Sequence, residues 1–129
     1  MPQLNAIGIV VSDMGKSIRC YRALGIDLPE TPEEGHVDAF LPNGVRFMLD
    51  SEDTMRSFRE DWSRETGNQI GIALECASPA EVDETYARAT GEGFHGEKEP
   101  WDAFWGQRYA MLLDPDGVEV SLYAPLETG

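Results

Sequence analysis

Apolar residues along the chain predict a strand, a helix and a hairpin in the first half. The run Ala6–Val11 predicts a strand, and Ser12 and Asp13 after it can cap a helix. Apolar residues then recur at helical spacing as far as Gly25, which is a typical residue just beyond a helix end. Two further β-type runs flank Pro42-Asn43-Gly44, and Asn-Gly is a strong hairpin signal.

The same order recurs about 65–70 residues later, which indicates an internal repeat. Ile70–Leu74 predicts a strand, and Ser78-Pro79-Ala80-Glu81 has the residues of a helix N-cap and capping box. The arms Gln107–Leu113 and Val118–Tyr123 flank Asp114-Pro115-Asp116-Gly117, which predicts a turn. The fold class is therefore α+β, with two repeated β-α-β-β-β modules in a single domain. Module one spans 4–50, a connector spans 51–68 and module two spans 69–125.

Strand alternation divides the residues of these strands between two faces. We expect one face to pack against the helices, and it comprises Ile7, Ile9, Val11, Val45, Phe47, Leu49, Ile70, Ile72, Leu74, Val118, Val120 and Leu122. The opposite face comprises Ala6, Gly8, Val10, Arg46, Met48, Asp50, Gln69, Gly71, Ala73, Glu75, Glu119, Ser121 and Tyr123. A binding cleft would be lined by this second set.

Composition narrows the choice of partners. The net charge of the chain is −14. The chain therefore lacks the basic surface that nucleic-acid-binding proteins use, and an anionic membrane surface would repel it. A cationic ligand would be attracted. No apolar run is long enough to span a bilayer and no signal peptide is visible, so the expected location is the cytoplasm. Cys20 and Cys76 are expected to be buried thiols.

The second hairpin resembles a known family. Gly106-Gln107-Arg108-Tyr109, the turn at Asp114–Gly117 and the short closing strand are similar to the last hairpin of the vicinal oxygen chelate superfamily. This superfamily includes glyoxalase I, extradiol dioxygenases and bleomycin-resistance proteins. With the repeated module, the resemblance covers residues 4–125. It implies that each module folds into a small curved mixed sheet and that two modules, from one chain or exchanged between two, enclose a cleft.

The metal ligands of the superfamily are not matched in this chain. The resemblance places the four ligand positions on Ala6, on Met48 or Asp50, on Gly71 or Gln69, and on Ser121 or Glu119. Alanine and glycine have no donor atom, so we expect no metal and no cofactor. The enzymatic alternative is a glyoxalase-like lyase, isomerase or dioxygenase. It would use shifted ligands, namely Asp50, Gln69, Glu75 and Glu119, or Glu119 as a general base.

The resemblance is nearest to the metal-free, bleomycin-resistance-like branch. It implies a homodimeric protein that sequesters an aromatic or cationic organic molecule, such as an antibiotic. The candidate ligand-binding residues are Phe40, Met48, Asp50, Trp62, Trp101, Phe104, Trp105, Tyr109, Met111, Glu119 and Ser121.

Structural alternatives remain for several of these residues. Trp62 can pack the connector onto the sheet, and Trp101 with Trp105 can form a dimer interface in a protein that only associates with itself. Arg108 is expected to pair with Asp114 or Asp116, and His36 and His95 are expected to be ordinary polar residues.

Overall fold

The secondary-structure elements repeat in the same order in two parts of the chain. A computed structural model describes residues 2–64 and 70–126. Its contacts divide it into two compact units, Met1–Thr66 (unit one) and Gly67–Gly129 (unit two). Unit one contains β1 (Ala6–Val11), α1 (Met14–Ala23), β2 (His36–Phe40), β3 (Arg46–Ser51) and α2 (Glu52–Phe58). Unit two contains β4 (Gly71–Glu75), α3 (Pro79–Gly91), β5 (His95–Ala103), β6 (Gln107–Leu113) and β7 (Glu119–Pro125).

The sheet of unit one has the order β1-β3-β2, with β1 parallel and β2 antiparallel to β3. The predicted turn is present, because Gly44 has a φ of 88° and Leu41 N–H donates to Val45 O at 2.8 Å. The Asp13 side chain caps α1 by accepting from Lys16 N–H. The apolar face of α1 is buried against the sheet, where the rings of Tyr21 and Phe47 lie 4.8 Å apart. The predicted helix face is therefore confirmed.

The sheet of unit two has the order β4-β7-β6-β5, with β4 parallel to β7 and the other pairs antiparallel. Ser78 and Glu81 form the predicted capping box, since the Ser78 hydroxyl accepts from Glu81 N–H and the Glu81 carboxylate accepts from Ala77 N–H. The Asp114 carboxylate accepts 2.8 Å hydrogen bonds from both Asp116 N–H and Val118 N–H, which closes the turn before β7. These local signals fix the helix start and the hairpin that the sequence predicts.

The α+β architecture of two repeated mixed-sheet modules is confirmed, although in the described residues unit one has one strand fewer than unit two. Segment 26–34 occupies the place in the chain order that β5 has in unit two. Its residues Ile26 and Leu28 are buried in the core, but Pro29 and Pro32 lack the N–H that a strand ladder requires. The segment therefore packs without joining the sheet.

Alternation along the strands separates a buried face from an open face in each sheet. The buried positions on these strands are Val11, Val37, Phe47 and Leu49 in unit one and Ala103, Ala110, Leu112, Val120, Leu122 and Ala124 in unit two. Two residues depart from the predicted packing: Ile7 on β1 is exposed, and Ile70, which precedes β4, is 78% exposed. The predicted residue Gln69 lies outside the described residues. Within the described ranges, no helix has the length and apolar character that spanning a membrane requires.

Candidate ligand-binding site

Five aromatic rings meet on the open face of unit two and at the turn between β5 and β6. Trp101 lies 5.5 Å from Tyr109 and 6.0 Å from Trp105, measured between ring centroids. Trp105 also lies 5.4 Å from Tyr109 and 5.0 Å from Phe104, and all of these pairs are edge-to-face. Tyr109 stacks on Tyr123 at 6.4 Å. We call these residues the aromatic cluster: Trp101, Phe104, Trp105, Tyr109 and Tyr123.

Strand register explains why these rings meet. Trp101 on β5 lies opposite Tyr109 on β6, which lies opposite Tyr123 on β7. Gly106, with a φ of 91°, reverses the chain between β5 and β6 and leaves Phe104 and Trp105 at the tip of that hairpin. Three rings therefore come from neighbouring strands and two from the turn that joins two of them.

The outer rings of the aromatic cluster are open to solvent. Phe104 is 96% exposed and Trp105 is 49% exposed. The indole N–H of Trp105 donates to Gln107 Oε1 at 2.8 Å, which satisfies its polar atom and leaves its ring available for contact. A contiguous exposed patch of large aromatic side chains is typical of a binding surface.

The remaining predicted residues of unit two continue along the same open face. Met111 on β6 lies opposite Ser121 on β7, and Glu119 on β7 lies opposite Gly71 on β4. Each is partly exposed. The face thus changes from aromatic at Trp101 to polar and acidic at Ser121 and Glu119.

In unit one the predicted residues Phe40, Met48 and Asp50 also lie on the open face. Phe40 is 74% exposed and pairs across the sheet with Arg46. Met48 crosses over Gly8, where an added Cβ would lie 3.3 Å from Met48 Cε. Glycine at position 8 therefore makes room for the methionine side chain.

A contact that the sequence analysis missed joins His36 to Asp50. His36 Nδ1 lies 2.6 Å from Asp50 Oδ1, and Nε2 lies 3.4 Å from Asp38 Oδ2. The hydrogen bond to Asp50 raises the pKa of His36, partial burial opposes this shift, and the hydrogen bond to Asp38 adds to it. Counting outward from a three-residue loop, Pro42-Asn43-Gly44, would have placed positions 36 and 50 opposite each other.

Trp62 is held on unit one by two arginines. The guanidinium carbons of Arg56 and Arg64 lie 5.4 Å and 5.7 Å from its ring centroid. Arg64 also contacts Glu52 Oε2 at 2.6 Å and donates to Val10 O at 3.0 Å. Both arginines belong to the predicted connector, and it is Arg64 that reaches β1, so the role of Trp62 stays a prediction. Residues 65–68 of the predicted connector lie outside the described residues.

Arg108 has different partners from those expected. It pairs with Asp83 on α3 at 2.9 Å and with Asp102 on β5 at 3.1 Å, rather than with Asp114 or Asp116. Asp114 is engaged by backbone N–H groups of its own turn, whereas Arg108 extends from β6 toward α3. Arg108 therefore joins a helix to two strands.

The residues present do not fit the metal site of related enzymes. Ala6 and Gly71 provide no side-chain donor at two of the implied positions. Within residues 2–64 and 70–126, there is no group of three or more His, Cys, Asp or Glu side chains that could bind a metal ion. The proposed shifted set included Gln69, which is not described.

These features define an α+β protein of two mixed-sheet modules with open, partly aromatic faces. The chain belongs to the Glyoxalase/Bleomycin resistance protein/Dioxygenase superfamily, whose family model matches residues 3–122. A search among curated proteins gave no significant match.

Solved structures agree with this assignment. A glyoxalase/bleomycin resistance protein/dioxygenase from Nocardioides is 26% identical, with a TM-score of 0.74 over 100% of this chain and 87% of that chain. A family enzyme from Burkholderia phytofirmans PsJN is 16% identical, with a TM-score of 0.81 over 97% and 100% of the two chains. A glyoxalase-related enzyme from Fulvimarina pelagi is 16% identical, with a TM-score of 0.80 over 96% and 88%. The last two share the fold.

Proposed function

We propose that this protein binds and sequesters a small aromatic or cationic organic molecule, such as an antibiotic, without a metal. The observation that carries the proposal is the exposure of Phe104 and Trp105 beside Trp101 and Tyr109. A flat ligand that covered these rings would bury apolar surface and gain edge-to-face or stacked contacts. Such contacts contribute about 0.5–1.5 kcal/mol for each ring pair beyond the burial of area.

The charge of the chain supports a ligand with a positive group. The net charge of −14 attracts cations at long range and raises their association rate. The acidic side chains Glu75 and Glu119 lie on the open face of the same sheet as the aromatic cluster. Because Ala6 and Gly71 carry no side-chain donor, the proposal is a cytoplasmic binding protein rather than an enzyme that uses a metal at these positions.

Binding of three matched probes tests this proposal. Ethidium is flat and cationic, phenanthridine is its neutral ring system, and tetraethylammonium is a cation without a ring. We expect ethidium to bind most tightly and tetraethylammonium most weakly, as measured by calorimetry. Trp105→Ala should weaken ethidium binding by about three- to tenfold, because one ring contact is lost.

The matched control is Phe58→Ala, which removes an exposed aromatic side chain from α2 of unit one. Its ethidium affinity should equal that of the unmodified protein. Equal loss in both variants, or no binding of any probe, would contradict the proposed function.

The homodimer implied by the resemblance is a separate part of this proposal. The mass in solution, measured by light scattering for the unmodified protein and for Trp105→Ala, tests it. A dimer that persists in the variant supports a ligand-binding role for the aromatic cluster. A dimer that dissociates in the variant, in a protein that binds no probe, would assign the cluster to self-association.

A further inference from the structure

Lys98 reaches the open face of unit two because β5 is irregular. Lys98 and Trp101 are three residues apart, so a regular strand would direct them to opposite faces. The register shifts on both sides of Lys98, and Pro100, which has no N–H for the ladder, follows it. As a result Lys98 lies opposite Met111 while Trp101 lies opposite Tyr109, and these two partners are only two residues apart on β6.

The ammonium group of Lys98 lies on the ring of Trp101. Its Nζ is 4.0 Å from the ring centroid, which is the geometry of a cation–π contact. The chain has 24 acidic side chains against 10 Lys and Arg, yet within the described residues no carboxylate lies at ion-pair distance from Lys98. The neighbouring Glu97 pairs instead with His95 at 3.3 Å.

We infer that the face of Trp101 is a cation subsite, and that Lys98 occupies it until a ligand carrying an ammonium or iminium group replaces the lysine. This inference rests on the proposed function and names the ligand class more closely. The ligand is a flat aromatic molecule with a positive group, whose ring covers Trp105 and Phe104 while its charge takes the place of Nζ. Lys98 is thus an internal competitor that lowers the affinity for such ligands.

The neighbouring rings support this placement of the charge. Trp101, Trp105 and Tyr109 are in mutual contact at 5.4–6.0 Å, which leaves no space for a cation between them. A positive group can therefore contact only an outer ring face, and Lys98 marks one such face. The Lys98 side chain is exposed, and the exposed carboxylates Glu97 and Glu99 are its neighbours in the chain.

Truncating the competitor should strengthen binding of a cationic probe. Lys98→Ala is expected to bind ethidium about two- to fivefold more tightly, which is the size of one exposed cation–π contact. Phenanthridine, which has no charge to place on Trp101, should bind with unchanged affinity. Calorimetric titration of both probes gives the comparison.

Lys16→Ala is the matched control. Lys16 and Lys98 are the two lysines of the chain, so both variants make the same change in net charge, and Lys16 lies on α1 in unit one. A gain in ethidium affinity in Lys98→Ala that is absent in Lys16→Ala supports the inference. Equal affinities in the two variants, or weaker ethidium binding in Lys98→Ala, would overturn it.

A double-mutant cycle with Trp101→Leu identifies the ring through which Lys98 acts. If the competition takes place on Trp101, Lys98→Ala should no longer affect ethidium binding once the indole is absent. A gain that persists in the Trp101→Leu background would overturn this assignment. If ethidium binding depends on Trp105 but not on Lys98, the proposed function is supported and the inference about Lys98 is wrong. If neither probe binds, both the proposed function and the inference are wrong.

Discussion

At the scale of single residues, His36 is set between two carboxylates. Asp50 lies at 2.6 Å from Nδ1 and Asp38 at 3.4 Å from Nε2, and the Arg46 guanidinium lies 3.9 Å from Asp38. These groups come from β2 and β3, whose register fixes their distances. Because the contacts favour the imidazolium form, they link the stability of unit one to pH.

We predict that His36 stabilises the fold more at low pH than at high pH. Its pKa is raised above the ordinary value of 6.5 in the folded chain, chiefly by Asp50. The stabilisation is complete below the ordinary pKa and is lost as the pH rises through the raised one. The difference in unfolding free energy between the unmodified protein and His36→Asn should therefore shrink as the pH rises from 5.5 to 8.5. At pH 5.5 this difference should be under about 1 kcal/mol, because the His36 side chain is partly exposed.

Urea unfolding at several pH values measures this difference. His95→Asn serves as the control, since His95 is the other histidine of the chain and is 68% exposed. A difference for His36→Asn that grows with pH would contradict the assignment of the imidazolium to the folded state.

At the scale of elements, α3 packs closely on β5 through a glycine. A Cβ added at Gly96 would lie 2.8 Å from Tyr86 Cζ and 3.1 Å from Thr90 Cγ2. Both contacts belong to the inner face of α3, whose residues Val82 and Ala89 are fully buried. The β5–β6 hairpin, which carries four of the five rings of the aromatic cluster, is therefore positioned by a helix that tolerates little added volume.

We predict that Gly96→Ala lowers the unfolding free energy by about 1–3 kcal/mol, because the methyl group must displace the Tyr86 ring or the strand. Gly91→Ala is the matched control. Gly91 ends α3, and a Cβ there would meet no atom within 4 Å, so alanine should leave stability unchanged or raise it by up to about 1 kcal/mol. Chemical denaturation of the two variants compares them directly, and similar stabilities would refute the close packing.

Local sequence signals predicted the helices, strands and turns well, but they did not predict the side-chain contacts between different elements. Ser78, Pro79 and Glu81 determine a helix start, and Asn43-Gly44 and Asp114–Gly117 determine turns, because the cause lies within a few residues. The Lys98–Trp101 contact could not be predicted from alternation, because the irregularity at Pro100 changes the face on which Lys98 lies. The partners of Arg108 depend on how α3 packs, which no local pattern specifies.

At the scale of the whole molecule, the excess of acidic residues is the dominant electrostatic feature. The net charge of −14 on 129 residues produces a negative potential that reaches beyond any single contact. Because salt screens such a potential within about 10 Å at 0.1 M, its contribution to binding depends on ionic strength.

We predict that ethidium affinity falls by about three- to tenfold between about 20 mM and about 300 mM NaCl, whereas phenanthridine affinity stays constant. Titrations of both probes over this range test the expectation. A similar response of the two probes would show that the charge of the chain does not contribute to recognition.

The irregularity of β5 also determines how the sheet of unit two resists aggregation. β5 and β4 are the two outermost strands of this sheet, so within unit two each has one edge without a partner strand. On β5, the charges of Glu97, Lys98 and Glu99, the missing N–H of Pro100 and the shifted register all oppose the addition of a foreign strand. The edge beside the aromatic hairpin is therefore a poor template for a foreign strand.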